Sequence, residues 1–423
     1  MIKFLTLGLL RDRSRSLFPI LIIAAGVMIT VVVFCWIQGA MEMFLFENAR
    51  LETGHVKVVT RAYNEMIDQK PFDLGFLDLD NIMTELRAEY PDMIWLPRTT
   101  FGGLLDTPDE DGETISQGEV FCLGIDLFNS STERELLKLD EAITAGRLPE
   151  KNGEIIISSE VAEKMNINLN DTVTIITSTI YGSMTFKNYV VTGTVKFGVK
   201  MIDKGAVFLD ISDMQYLLDM ENGSAEILGF FPDNNFDQEK ANAMKKDYNE
   251  KYSDPVDEFS PYMLTLMDQN SMGYMVNSME TRLGLMVFIF VFIMSLVLWN
   301  SGLMNGIRRY GEVGVRLAIG EDKLHVYLTM IIESLFVALT GSVLGTAIGL
   351  LISFFLQEHG IDVSSMMENV TMISSTIMRA RITPEAFFIG FIPGILASIL
   401  GALFSGVGIF KRDTAQLFKE LET

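Results

Sequence analysis

Cysteine is nearly missing, with two residues in a chain of 423. Cys35 falls inside an apolar stretch and Cys122 in mixed sequence well beyond it, so no disulfide framework is available. No CxxC and no Cys/His cluster offers a metal site. Histidine is as scarce: His55, His325 and His359 give a His-based hydrolase little to work with, and the strand-like setting of His55 suits a structural role. No GxxxxGKS or GxxxxGKT occurs, so this chain cannot cradle ATP phosphates in a P-loop of its own. Basic residues are short too, 33 Lys and Arg against 55 Asp and Glu. Residues 44–280 hold 42 acidic and 19 basic residues and so carry the whole imbalance. Such a segment does not bind nucleic acid by neutralising phosphates. It stays soluble and away from anionic head groups.

Four apolar stretches are present, at Leu17–Met41, Leu283–Met304, Val326–Leu356 and Ala386–Phe410. Each is near or above the ~20 residues that an α-helix needs to cross a bilayer. The expected fold is a membrane α-helical protein with four transmembrane helices in a 1+3 arrangement. A large α+β extracytoplasmic domain is inserted between helices 1 and 2. The boundaries that follow are a cytoplasmic N-terminus at 1–16, helix 1 with the start of a stalk at 17–43, the outer domain at 44–262 and a second stalk with helix 2 at 263–304. A cytoplasmic loop at 305–325, helix 3 at 326–356, a short external loop at 357–385, helix 4 at 386–410 and a cytoplasmic tail at 411–423 complete the chain. Lys3, Arg11, Arg13 and Arg15, then Arg308, Arg309, Arg316 and Lys323, then Lys411, Arg412 and Lys419 all fall on one side of this plan. The positive-inside rule makes that side cytoplasmic. The first stretch is too long for a signal-peptide core and lacks a small-x-small cleavage site, so an uncleaved span is expected.

Between the first two stretches, strand patterns occur at Gly54–Thr60, Met93–Leu96, Glu119–Ile125, Glu154–Ser158, Thr172–Thr177, Thr185–Val195 and Ala206–Leu209. Helical patterns occur at Leu79–Glu89, Ser131–Leu139, Ser159–Met165, Ile211–Met220 and Phe236–Lys251. Turn clusters at Asp106–Gly112 and Pro232–Asn235 separate them. Leu264–Arg282 holds no Pro and one Gly, which predicts a helical stalk leading into the second span.

The loop Arg308-Arg309-Tyr310-Gly311-Glu312-Val313-Gly314-Val315-Arg316-Leu317-Ala318-Ile319-Gly320 alternates apolar residues with Gly, Arg and Ala, and ends on a glycine able to cap a helix in left-handed geometry. A short amphipathic helix here either lies along the membrane or fits a groove on a cytoplasmic protein. The order of these residues, followed by Glu333 and spaced glycines, resembles the permease domain of FtsX-like ABC transporters. The resemblance implies that the loop is a coupling helix docking on a separate ATPase, with Arg308, Arg309, Glu312, Gly314, Arg316, Ala318 and Gly320 at the contact. Tyr310-Gly311 stands where that family often has another charge. Farther out, Ala145-Gly146-Arg147-Leu148-Pro149, Gly153-Glu154-Ile155-Ile156-Ile157-Ser158 and Asn170-Asp171-Thr172-Val173 are similar to the MacB-like extracytoplasmic core of the same group. Asn170 replaces a glycine there, a tolerable exchange because Asn also visits left-handed geometry.

Glu333 is a lone carboxylate inside the third span, where ionisable residues are rare and usually functional. An anchoring pair with Arg316 or another basic loop residue is expected over proton relay. Gly341, Gly345 and Gly349 fall four residues apart and give span three a smooth stripe for close helix packing. Gly394, Ser398 and Ala402 do the same for span four, after a kink at Pro393. Met41, Phe44 and Phe46 at the exit of span one, with Met272, Met275 and Met279 on the second stalk, either pack the two stalks together or form a lateral entrance for a lipid-like substrate. Thioether binding of Cu(I) is a third reading, which no nearby His or Cys supports.

Within the family, a large outer domain without a fused ATPase, and Gly54-His55-Val56-Lys57-Val58 leaving span one, look most like permease subunits of lipoprotein-releasing transporters. The resemblance implies a non-catalytic membrane subunit in the bacterial inner membrane, with both termini cytoplasmic and the large domain periplasmic. It implies a cytoplasmic ABC ATPase dimer that binds the ATP and Mg, a second permease (identical or homologous), a lipoprotein or lipid-like substrate and a periplasmic acceptor. The other readings are a macrolide-exporter-type permease and a signal transducer that activates a cell-wall hydrolase.

Overall fold

The structure is a computed structural model, and it describes residues 13–109, 112–128, 131–269, 271–279, 310–363 and 377–411, with isolated positions between 281 and 296. The chain forms two compact units. The outer unit comprises residues 43–278 with 363–376, and the membrane unit the remainder.

The first helix, α1 (Arg13–Asn48), is followed by a π-helical turn, Ala49–Thr53. In the outer unit, strands β1 (Val56–Thr60), β2 (Ile94–Pro108), β3 (Thr114–Ile125), β4 (Ile143–Gly146), β5 (Glu154–Ser158), β6 (Thr172–Ser178), β7 (Met184–Val195), β8 (Ala206–Asp210), β9 (Glu226–Phe230) and β10 (Pro261–Thr265) form one ten-stranded sheet. The helices that cover it are α2 (Leu79–Glu89), α3 (Ser131–Leu137), α4 (Ser159–Met165), α5 (Ile211–Leu218) and α6 (Gln238–Tyr252).

Strand β2 divides this sheet into two lobes. Its first part, Ile94–Arg98, pairs with β9 in the order β10-β1-β9-β2. From Thr99 onward it pairs with β3, and β6 pairs with both β7 and β2, closing β2-β3-β8-β5-β7-β6 into a ring. In the first lobe, Val56 and Val58 of β1 pack under Leu79, Met83 and Leu86 of α2 and Ala241 and Tyr248 of α6. In the second, Ile155 and Ile157 face one core with Val161 of α4 and Met214 of α5, while Ile156 faces another with Leu137 of α3. Burial on both faces explains why β5 reads as a continuous apolar run.

Several local expectations meet a physical reason here. The alternation at Gly54–Thr60 marks a strand, and every residue of β1, Lys57 included, is buried. The segment after β1 covers Val59, on the same side of the strand as Lys57, and Lys57 Nζ finds Glu226 Oε2 at 2.8 Å. The helical stalk expected from Leu264 starts later. Residues 261–265 are strand β10, paired with β1 from Thr60↔Pro261 to Val56↔Thr265, and helix resumes at 272–279. Sheet pairing overrides local propensity there. Strand β2 runs far beyond Met93–Leu96, because the β3 partner holds Gly102-Gly103 extended. Asn170 adopts φ 70°, the left-handed geometry of the glycine it replaces. Arg147 grips Glu154 through two bonds of 2.8 and 2.7 Å, so both charged residues of that motif staple the second lobe.

The described part of the membrane unit adds α7 (Tyr310–Ala318), α8 (Lys323–His359), α9 (Ala386–Ile389) and α10 (Phe391–Lys411). Three described helices are long and apolar enough to cross a membrane: Leu17–Thr53, Lys323–His359 and Ala386–Phe404. The expected span Leu283–Met304 lies mostly outside the described residues. The break between α9 and α10 follows from Pro393, which cannot donate to the Ile389 carbonyl one turn back.

Candidate functional site

Three places carry the residues singled out above. The first is α7 and the turn after it. The apolar alternation resolves on a helix into two faces. Val313 and Leu317 pack inward on Val326 and Met330 of α8. Val315, Ala318 and Ile319 face outward, with Ile319 81% exposed. Gly314 is buried beside Val313. Gly320 takes φ 99°, and two bonds close the end, Gly320 N–H to Leu317 O at 3.1 Å and Glu321 N–H to Arg316 O at 3.1 Å. That pattern is a Schellman cap, which needs the left-handed residue. Arg316 Nε lies 3.9 Å from Glu321 Oε2, and His325 Nε2 3.6 Å from Glu321 Oε1. Arg308, Arg309 and the Glu312 side chain lie outside the described residues. Glu333 sits half-buried on α8.

The second is the glycine stripe of α8. A Cβ on Gly341 would meet Ile23 Cβ at 2.8 Å, one on Gly349 would meet Val31 Cβ at 2.9 Å, and one on Gly345 would strike the Ala24 carbonyl oxygen. The stripe lies directly against α1 over three turns. On α10, Gly394 approaches Ser342 of α8 and Val27 of α1 in the same way, so glycine allows three helices to meet at Val27.

The third is the base of the outer unit. Phe44 and Met272 are buried, and Phe46 and Met275 half-buried. Met41 and Met279, both half-buried, belong to the membrane unit. The described residues include no group of three or more His, Cys, Asp or Glu able to hold a metal ion.

His55, and with it residues that no sequence pattern singled out, gather at this base. β1 and β10 are adjacent and antiparallel, so the chain entering from α1 and the chain leaving toward 272–279 meet at one end of the sheet. Leu266 N–H donates to His55 O at 3.1 Å, and Gln269 Nε2 to Thr53 O at 3.1 Å. The His55 ring stacks on Phe231 and accepts the Phe231 N–H at Nδ1, 3.0 Å away. Burial holds the His55 imidazole down at about 4, opposed by the Asp233 carboxylate. Arg98 and Glu133 form a buried ion pair at 2.7 Å beside the π turn. The one hint in the sequence is the charge of Arg98, which follows the apolar run Ile94-Trp95-Leu96-Pro97.

Helices long and apolar enough to cross a membrane, a mixed α/β outer unit and the short two-faced helix α7 packed on α8 are the setting of these residues. Comparison with known proteins gives the family. Residues 284–414 match the FtsX-like permease C-terminal model, and residues 16–235, more than half the chain, match the MacB-like periplasmic core domain. No curated protein matches the chain. Among solved structures, the crystal structure of the periplasmic region of MacB from Actinobacillus actinomycetemcomitans is similar at TM-score 0.33 and 10% identity, covering 51% of this chain and 94% of that one. This chain belongs to the FtsX/MacB family of ABC transporter permeases. It is a membrane protein with a periplasmic α/β domain, and permeases of this family work with an ATPase partner.

Proposed function

We propose that this chain is the permease subunit of a lipoprotein-releasing ABC transporter. Four spans in a 1+3 arrangement place both termini and α7 in the cytoplasm. A separate ATPase dimer binds ATP and Mg, and α7 docks on it through the outward face Val315, Ala318 and Ile319, with Arg308, Arg309, Glu312 and Arg316 contributing to the contact. The observation that carries this reading is the division of α7, with Val313 and Leu317 held by α8 and the other apolar face unoccupied among the described residues. Burying one Val or Ile side chain contributes roughly 1.5–3 kcal/mol, so a partner groove gains from this face. A second permease, identical or homologous, completes the assembly. Dimer closure then moves the stalks, and an acylated substrate leaves the outer leaflet past Met41, Phe44, Phe46, Met272, Met275 and Met279 toward a periplasmic acceptor.

Affinity purification of the intact chain in mild detergent tests this. A co-purifying P-loop ATPase with a lipidated protein is expected, and Val315→Glu with Ile319→Glu should remove the ATPase while the outer domain melts as before. An ATPase with an outer-membrane channel and no lipidated cargo moves the reading to an exporter, which the MacB-like domain match also favours. A cell-wall hydrolase in place of cargo moves it to a transducer.

A further inference from the structure

A helix end leaves carbonyl groups without intrahelical partners, and these need donors when buried. The π turn after α1 has several such groups, and Arg50 and Leu51 are buried. Arg98 Nη1 donates to Arg50 O at 2.8 Å and to Leu51 O at 3.3 Å. Its Nε donates at 2.7 Å to Glu133 Oε1 of α3. Both side chains are within the interior, 4% and 0% exposed.

The place of Arg98 in the sheet gives this contact its meaning. It is the last residue of β2 paired with β9, opposite Glu226, and Thr99 is the first paired with β3, opposite Gly124. One guanidinium therefore touches the end of the first stalk, stands on the strand where the two lobes join, and binds a helix that packs on the second lobe. Its cationic fork suits both a carboxylate and the carbonyl end of a helix.

Stability alone is a weak reason for such a pair. Buried ion pairs are often matched or surpassed by apolar residues of similar volume. Here Arg98 Nη2 also has no hydrogen-bond partner among the described residues, a further cost. π-helical turns, moreover, are frequent at functional sites.

We infer that Arg98, oriented by Glu133, is a positioning residue that latches the π-helical end of the first stalk to the junction of the two outer lobes, so that stalk movement is passed to the whole periplasmic domain. The transport consequence rests on the function proposed above; the latch itself does not. Without it, displacement of α1 is absorbed within Ala49–Thr53.

The experiment uses the full chain with its co-purifying ATPase, comparing wild type with Arg98→Met/Glu133→Leu, Arg98→Lys, and Arg147→Met/Glu154→Leu as a control ion pair in the second lobe. Three quantities are read: thermal melting, amide hydrogen exchange, and the ratio of ATP hydrolysis with a synthetic triacylated lipopeptide added to the micelles to hydrolysis without it. Loss of a hydrogen bond to a charged donor corresponds to about tenfold faster exchange. The apolar double variant should melt a little below wild type, because the Arg50 and Leu51 carbonyls lose their donor, and should exchange about tenfold faster at residues 49–55 with β7 and β8 unchanged. Arg98→Lys keeps the charge but not the fork, and should also speed exchange at 49–55, which supplies the answer should the double variant not fold. The control pair should leave 49–55 untouched. Unchanged exchange at 49–55 in both Arg98 variants overturns the latch, whether or not an ATPase is bound. Faster exchange there with a normal stimulation ratio overturns its role in transmission, while absence of any ATPase counts against the proposed function alone.

Discussion

His55 illustrates how one side chain acquires its properties from packing. In the unfolded chain its imidazole titrates near the ordinary value of 6.5, whereas in the fold burial holds it at about 4. The unfolded state therefore takes up the proton first. Its contribution to stability is complete above about pH 6.5 and is lost as pH falls toward 4, by up to about 3 kcal/mol. Denaturant melting of the intact chain followed by Trp95 fluorescence should show this decline, and a His55→Gln variant should lack that part of it. An equal acid slope in wild type and variant assigns the loss to other groups. The sequence gives His55 a structural place in the strand pattern that leaves the first span, just before β1, but not its neutrality, which depends on Phe230, Phe231 and Phe236 arriving from far along the chain.

Helices α1, α8 and α10 show how much an element can reveal in its own residues. The four-residue spacing of Gly341, Gly345 and Gly349 identifies a smooth face, and the structure supplies the neighbour, α1 from Ile20 to Val31. Gly345→Leu forces a side chain into the Ala24 backbone, which has no rotamer with which to yield. Overpacking of this kind costs about 1–3 kcal/mol or more. The intact chain in detergent should lose melting temperature accordingly, while Gly102→Ala, where the Cβ position is open, should melt like wild type. A Gly345→Leu protein as stable as wild type would mean that these helices do not pack as described. In α7 the period of two looks strand-like, but the Gly320 cap and the α8 surface select a helix, and that choice separates an inward pair from an outward set.

For the whole molecule, charge and hydropathy decide what faces where. An acidic segment of about 240 residues between apolar stretches, with basic residues clustered at the other ends, predicts opposite sides for the outer domain and α7. Both native cysteines are buried, and burial pushes the Cys122 thiol up, so background labelling should be low. A membrane-impermeant maleimide applied to spheroplasts should label Tyr181→Cys, on a site 73% exposed in the outer unit, directly. Ile319→Cys should react only after permeabilisation. Labelling of Ile319→Cys in sealed spheroplasts would invert the proposed topology.

Apolar length, the excess of acid and the spaced glycines are local quantities, so the chain alone determines its long apolar helices α1 and α8, its acidic segment and its smooth helix faces. The motif from Gly146 to Val173 likewise carries its own turn geometry, as Asn170 at φ 70° demonstrates. The junction is different in kind. Arg98 meets Arg50 and Leu51, and Gln269 meets Thr53, across separations that no local pattern encodes. Those meetings arise because β1 pairs with β10 and β9, and β2 changes partners at Arg98. Buried carbonyls at the end of α1 then require donors, and only the folded sheet brings them there.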